Sequence, residues 1–341
     1  MSGASLVDSE PTGPAERGRL VRLARTNVVW TLGVLLGMAL VFSGLRPDAF
    51  ASPFNLRTIF INAAIPVVLA VGMTFVIVTG GIDLSVGSVL VFSGVVAGKV
   101  MAAYGAVDAG WAAITLGTAA GVVAGTGWGV VNGVLIAKGR IPPLITTLGT
   151  LGMALGLAQV ATNGSDLGAP RRLSDVVGNY LIAGQIPVIA LAAAAVAAVF
   201  GWLLAATRFG RHTYAIGSSA EAARRAGIRV DRHLIRVYAL SGLLAGVGGV
   251  LNLAKFSSTT IASHTEDNLS AIAGAVLGGT SLFGGSGTIA GTVVGVLIPV
   301  VVNDGLIILG VQQFWLFVAV GAVLIVAVFV DQLRRRLRDR D

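Results

Sequence analysis

No cysteine occurs among the 341 residues, which excludes disulfides, thiolate chemistry and cysteine-ligated metals. Histidine is nearly as scarce. His212, His233 and His264 stand in polar stretches without metal-ligand spacing. Charge is scarce too: Lys, Arg, Asp and Glu make up 12% of the chain, against about 25% in soluble domains. Hydrophobic residues make up 55%, and the mean hydropathy is +0.86. So few charges cannot cover the surface of a soluble protein this long. The sequence also has no serine–histidine–acid set, no paired catalytic carboxylates and no zinc pattern. Enzymatic chemistry is not expected of it.

What is present is a series of charge-free stretches, at 26–45, 58–82, 109–137, 141–165, 184–207, 237–254, 268–303 and 305–330. Most reach the roughly 20 residues that a helix needs to cross hydrocarbon. In lipid the backbone must satisfy its own hydrogen bonds, and these stretches do not alternate as barrel strands do, so the crossings are read as helices. The sequence predicts an all-α polytopic membrane protein with about ten spans, at 28–45, 58–79, 86–104, 111–137, 141–162, 186–206, 237–256, 269–283, 287–309 and 313–331. An eight-span arrangement follows if 269–286 or 80–104 does not fully cross. A polar tail, 1–27, expected to be disordered, precedes the membrane domain 28–331, and a basic tail, 332–341, follows it. The first apolar run starts too late and is too long for a cleaved signal peptide.

The formal charge of +8 is distributed as topology information. Loop 207–236 carries Arg208, Arg211, Arg224, Arg225, Arg229, Arg232 and Arg236 against Glu221 and Asp231. Lys138, Arg140 and the arginines of the tail fall on the same side, which predicts both termini in the cytoplasm. No aromatic residues interleave with these cations on a soluble module, so nucleic acid is not an expected partner. The 47 glycines cluster at 117–133, 241–250 and 287–295, where small residues let helix backbones approach closely.

In TGGIDLSVGS (79–88) Asp83 stands among Gly80, Gly81, Ser85, Gly87 and Ser88. A carboxylate at the edge of a hydrocarbon-length segment faces protein or water. Three roles stay open for it: capping and packing the helix that begins near 85, binding a solute or ion, or serving the motion of the subunit or its contact with a partner. Asn303 and Asp304 form a second polar pair, suited to a relay or to a broken helix. Asn132, Thr146, Thr147 and Thr150 are candidate pathway-wall groups. The stretch GGTSLFGGSG (278–287) lacks the lysine of a phosphate-binding loop and reads as a tight turn, so the chain is not expected to hydrolyse ATP. In AEAARRAG (220–227) the alanines favour a short helix, Glu221 and Arg225 are spaced to pair, and Gly227 can end it.

These stretches, together with FNLRTIF (54–60), TRFGRHTYAIG (207–217), AEAARRAGI (220–228), SGLLAGVGGVL (241–251) and IAGAVLGGTSLFGGSGTIAGTVVG (272–295), resemble the membrane permease subunit of bacterial ATP-binding-cassette sugar importers, the ribose/xylose/galactose group. The resemblance covers about 28–331. It implies a multi-pass protein of the bacterial inner membrane that forms the pathway for a pentose or hexose. It also implies a second permease subunit, expected as a second copy of this chain, a cytoplasmic ATPase and an extracytoplasmic sugar-binding protein. The chain itself would hold no cofactor or metal; ATP and Mg2+ would bind the ATPase. By the same resemblance, Gly217, Ala220, Glu221, Ala222, Ala223, Arg225, Ala226 and Gly227 belong to the helix that couples to the ATPase, with Ala222, Ala223 and Ala226 as its docking surface. Ser218–Ser219 departs from the glycine–asparagine pair of many relatives and bears on how this loop is capped. The alternatives are an ion-coupled secondary transporter, a permease for an amino acid or nucleoside, and a membrane scaffold.

Overall fold

A computed structural model describes residues 27–261 and 267–312, with single positions at 315, 318, 321 and 322. Eleven helices longer than five residues organise the described chain: α1 (Asn27–Leu45), α2 (Pro53–Val78), α3 (Val86–Ala103), α4 (Trp111–Ala137), α5 (Pro143–Thr162), α6 (Val188–Ala206), α7 (Arg208–Ser218), α8 (Ala220–Arg225), α9 (Val230–Phe256), α10 (Asp267–Leu277) and α11 (Ile289–Ile308). Local chemistry sets the starts. Proline opens α2 and α5, where its missing N–H costs nothing. The side chains of Ser52, Thr207, Ser219 and Thr288 accept from the first-turn amides of α2, α7, α8 and α11.

Among the described residues eight helices, α1–α6, α9 and α11, are long and apolar enough to cross a membrane. The chain is a multi-pass membrane protein. The expected crossing at 269–283 is not one of them. Its helix, α10, has 11 residues, which at 1.5 Å each span about 16 Å against roughly 30 Å of hydrocarbon. The glycine turn at 278–287 stops it. The last expected span, 313–331, and both tails lie almost wholly outside the described residues. Two boundaries also move: α2 begins at Pro53, and α9 reaches back to Val230, so the end of the basic loop 207–236 is helical. The segment between α5 and α6 has short-range structure. It holds a single helical turn at Arg171–Leu173 and a π-helical turn at Ser174–Gly178. A two-residue antiparallel hairpin follows, β1 (Leu181–Ile182) with β2 (Ile186–Pro187).

Helices α2, α3 and α9 form the centre, with α4, α10 and α11 against them and α1, α5 and α6 outside. Glycines set these contacts. Gly117, Gly121, Gly125, Gly129 and Gly133 recur every fourth residue along one face of α4. A Cβ on Gly117 or Gly121 would strike α3 at Ala97 or Ser93. On Gly125 or Gly129 it would strike the backbone of α9 at Gly242 or Tyr238, and on Gly133 it would reach Ile235. Gly94 and Gly249 close α3 onto α9, and Gly274, Gly278, Gly291 and Gly295 close α10 onto α11. Where apolar burial gives little drive, such backbone proximity maximises dispersion.

Gly129→Ala is therefore expected to cost about 1–3 kcal/mol by overpacking, read as a lower thermal midpoint in detergent. Gly127→Ala, on the same helix but facing open space, is expected to stay within about 0.5 kcal/mol of the parent.

Candidate functional site

Helix α2 ends where Gly80 takes φ +80°, a left-handed conformation that favours glycine. Gly81 follows because a Cβ there would collide with the Tyr238 hydroxyl. This break turns Asp83 inward, to 2% exposure. Its Oδ1 accepts from the Ser85 amide at 3.0 Å and the Ser85 hydroxyl at 2.6 Å. Its Oδ2 accepts from the Ser241 hydroxyl of α9 at 2.9 Å. Burial raises the carboxyl pKa, and the bonds from Ser85 and Ser241 oppose that rise. The N-cap of α3 is Ser85, and Asp83 holds that residue rather than a first-turn amide. Asp83 thus ties the break to α9 in addition to organising the start of α3.

The network continues inward. Asn132 of α4 donates to the Ser85 hydroxyl at 2.9 Å, and Thr150 of α5 donates to Asn132 Oδ1 at 2.7 Å. Asn268 of α10 donates to the Leu84 carbonyl at 3.0 Å. Asn132 and Thr147 are fully buried; Thr146 and Thr150 nearly so. Thr147 bonds mainly to the Pro143 carbonyl, at 2.9 Å. Asn132 and Thr150 thus fasten helices to one another, whereas the Thr146 hydroxyl is buried without a partner among the described residues. Gly87 lies buried in the first turn of α3, beside Ser88. Through this one node, α3, α4, α5, α9 and α10 are all bonded to the break or to one another. Asn303 and Asp304 do not join it. They sit near the far end of α11, Asn303 half-buried and Asp304 buried.

The basic loop packs against the same break. Gly217 of α7 lies so close to α2 that a Cβ would strike the Val78 carbonyl and Gly285. That carbonyl accepts from the Gly285 amide at 2.9 Å. Tyr214 donates to the Gly287 carbonyl at 2.7 Å, and burial raises its pKa above 10. The turn 278–287 is made possible by positive φ at Gly279, Gly284, Gly285 and Gly287. One turn of α7 therefore touches both the end of α2 and the start of α11.

Next to it, Ser219 caps α8 through its side chain, bonded to the Ala222 amide at 3.2 Å; the departure at Ser218–Ser219 supplies the cap. Gly227, at φ +83°, ends α8. Its amide bonds to Arg224 and that of Ile228 to Ala223, the paired bonds of a Schellman motif. Arg225 pairs with Glu221, and Arg224 pairs with Asp231 of α9 at 3.0 Å; both pairs are exposed and add little stability. The expected alanine surface needs correction. Ala223 is buried against Ile216, Val230, Ile228 and Leu234, because the Schellman turn folds Ile228 back onto it. Ala220, Glu221, Ala222, Arg225 and Ala226 form the exposed face.

Sequence reading missed Ser241, Asn268, Tyr214 and Tyr238. Ser241 and Asn268 were visible as polar residues at the edges of apolar runs, but their partners are 158 and 184 residues away.

Asp83→Ala is expected to destabilise more than Ser241→Ala, since it strands three donors instead of removing one. Ser241→Ala should cost about 1.5–3 kcal/mol, the range for a hydrogen bond to a charged group. Thermal unfolding of both variants in one detergent measures the order.

A sequence profile of the family described as branched-chain amino acid transport system / permease component matches residues 55–329. The chain is 39% identical over 318 residues to the ribose import permease protein RbsC of Bacillus subtilis (strain 168), covering 91% of this chain and 95% of that protein. It is 36% identical to the L-arabinose ABC transporter permease protein AraH of Azospirillum brasilense, covering 97% of each. To the D-allose transport system permease protein AlsC of Escherichia coli (strain K12) it is 35% identical, covering 89% of this chain and 91% of that protein. No solved structure matches.

Proposed function

As this chain belongs to the branched-chain amino acid transport system / permease component family, we propose that it is the inner-membrane permease subunit of an ATP-binding-cassette importer for a monosaccharide. The observation that carries the choice of solute is near-full-length likeness to permeases named for ribose, arabinose and allose. In this reading the chain pairs with a second copy, receives sugar from an external binding protein, and takes its energy from a cytoplasmic ATPase that binds ATP and Mg2+.

The geometry supports a mechanical role for the basic loop. A partner shifts an equilibrium between states only by binding them unequally. The exposed face of α8 offers such a partner a rigid handle: the helix is capped at both ends and joined to α7 through Ser219 alone. Movement of α7 reaches Val78 through Gly217, and α11 through Tyr214 and Gly287. From Val78 it reaches Asp83, and from there the hydrogen bonds to α3 and α9. An ion-coupled transporter fits less well. Both carboxylate oxygens of Asp83 already accept protein hydrogen bonds. Asp304 lies 16 residues along α11 from Thr288, about 24 Å away at the helical rise.

The test is mass spectrometry of complexes recovered with the tagged full chain from gently solubilised native membranes, paired with uptake of labelled ribose and leucine. An ATPase in the complex and uptake of ribose over leucine are expected. Recovery of the chain alone, with uptake driven by an ion gradient, would replace this reading with secondary transport. Ala222→Asp, on the exposed face, is expected to reduce recovered ATPase about fivefold or more, as for a central interface contact, with insertion intact. Ala223→Asp buries a charge and is expected to destabilise the loop itself.

A further inference from the structure

At the opposite end of α2 and α9 from Asp83 lies a second polar group that the proposed coupling route does not use. Lys255 Nζ, in the last turn of α9, donates to Asn62 Oδ1 of α2 at 3.0 Å and stands 5.0 Å from the Phe256 ring centre. Both side chains are half-buried, although α2 and α9 are among the most enclosed helices of the bundle. A cation within an apolar helix faces protein or a watery path. Lys255 is 14 residues beyond Ser241 on α9, hence about 21 Å from it along the helix.

Three further features gather there. Pro66 lies inside α2; having no N–H, it gives nothing to the Asn62 main-chain carbonyl four residues earlier. Thr58, Asn62 and Pro66 share one half-buried face of α2 at four-residue spacing. Asn252, one turn before Lys255, is 1% exposed, and its Oδ1 accepts no hydrogen bond among the described residues. An ammonium and a carboxamide with its N–H groups turned away from the lysine thus meet at half-buried positions, and on the same helix Pro66 leaves the Asn62 main-chain carbonyl without its helical donor. Each sugar hydroxyl both donates and accepts, so this mixed set suits adjacent hydroxyls better than it suits a carboxylate or an apolar side chain. An aromatic ring beside it adds an apolar face.

We propose that Asn62 and Lys255 form a subsite that hydrogen-bonds the hydroxyls of the solute as it passes between the ends of α2 and α9. The proposal rests on the sugar-permease reading and goes beyond it by naming residues of this chain that recognise the solute.

The test uses host cells whose chromosomal copy carries Lys255→Met, Lys255→Arg or Asn62→Ala. Uptake of labelled ribose, arabinose, allose and fructose identifies the sugar that the parent carries fastest. The uptake rate of that sugar is then divided by the rate for a monodeoxy analogue in each strain. An external binding protein contributes the same factor to every strain, so a change in the ratio belongs to the permease. The ratio is expected to fall about fivefold in Lys255→Met and Asn62→Ala and to stay within about twofold in Lys255→Arg. If both sugars slow together with the ratio unchanged, the pair is a structural clasp and the subsite is overturned. If the parent carries none of the four sugars, the sugar reading falls and takes the subsite with it. Membrane immunoblots check insertion. Should Lys255→Met fail to insert, Asn62→Ala and Asn62→Ser decide by the same ratio.

Discussion

The bundle depends on backbone contact between α4 and α9. In hydrocarbon two apolar helices gain little by hiding from a solvent as apolar as themselves, so attraction must come from proximity and from polar bonds between helices. Gly125 and Gly129 on α4, facing Gly242 and the Tyr238 carbonyl on α9, supply the proximity. That closeness brings Asn132 of α4 within reach of Ser85, and it sets α9 so that Ser241 meets Asp83. The polar node therefore exists because the apolar packing leaves no room for side chains between the backbones.

The node and the glycine turn make a compact mechanical junction. A buried carboxylate without donors would be costly, and Asp83 has three. Its ligands come from two different elements, so any relative motion of the break and α9 must exchange hydrogen bonds rather than slide freely. Stiff elements with discrete bonding arrangements transmit small displacements better than a continuously deformable interior. Gly217, Gly284 and Gly285 let α7 and the turn before α11 meet the Val78 carbonyl directly. Side chains there would act as a compliant spacer.

The two ends of the bundle differ in chemistry. Near the basic loop, Asp83, Ser85, Asn132 and Ser241 are buried and mutually bonded. At the other end Asn62 and Lys255 keep an open side. One set is suited to holding helices together, and the other to meeting a solute.

The sequence by itself determined the membrane class, most of the spans, the break at 79–85, the short helix at 220–225 with its stop at Gly227, and the turn at 278–287. These follow from local chemistry: runs free of charge, glycine where φ must be positive, alanine where a helix must form. Four-residue glycine spacing also announced helix contact, though not which helix would be met. Tertiary structure alone decided that Ala223 turns inward while Ala222 stays out, and that Asn132 and Thr150 fasten helices. It also decided that Asp83 answers to Ser241 and Lys255 to Asn62, pairs separated by 158 and 193 residues. Hydropathy is a sum over neighbours in the chain, whereas the partner of a buried polar group is fixed by how whole helices cross.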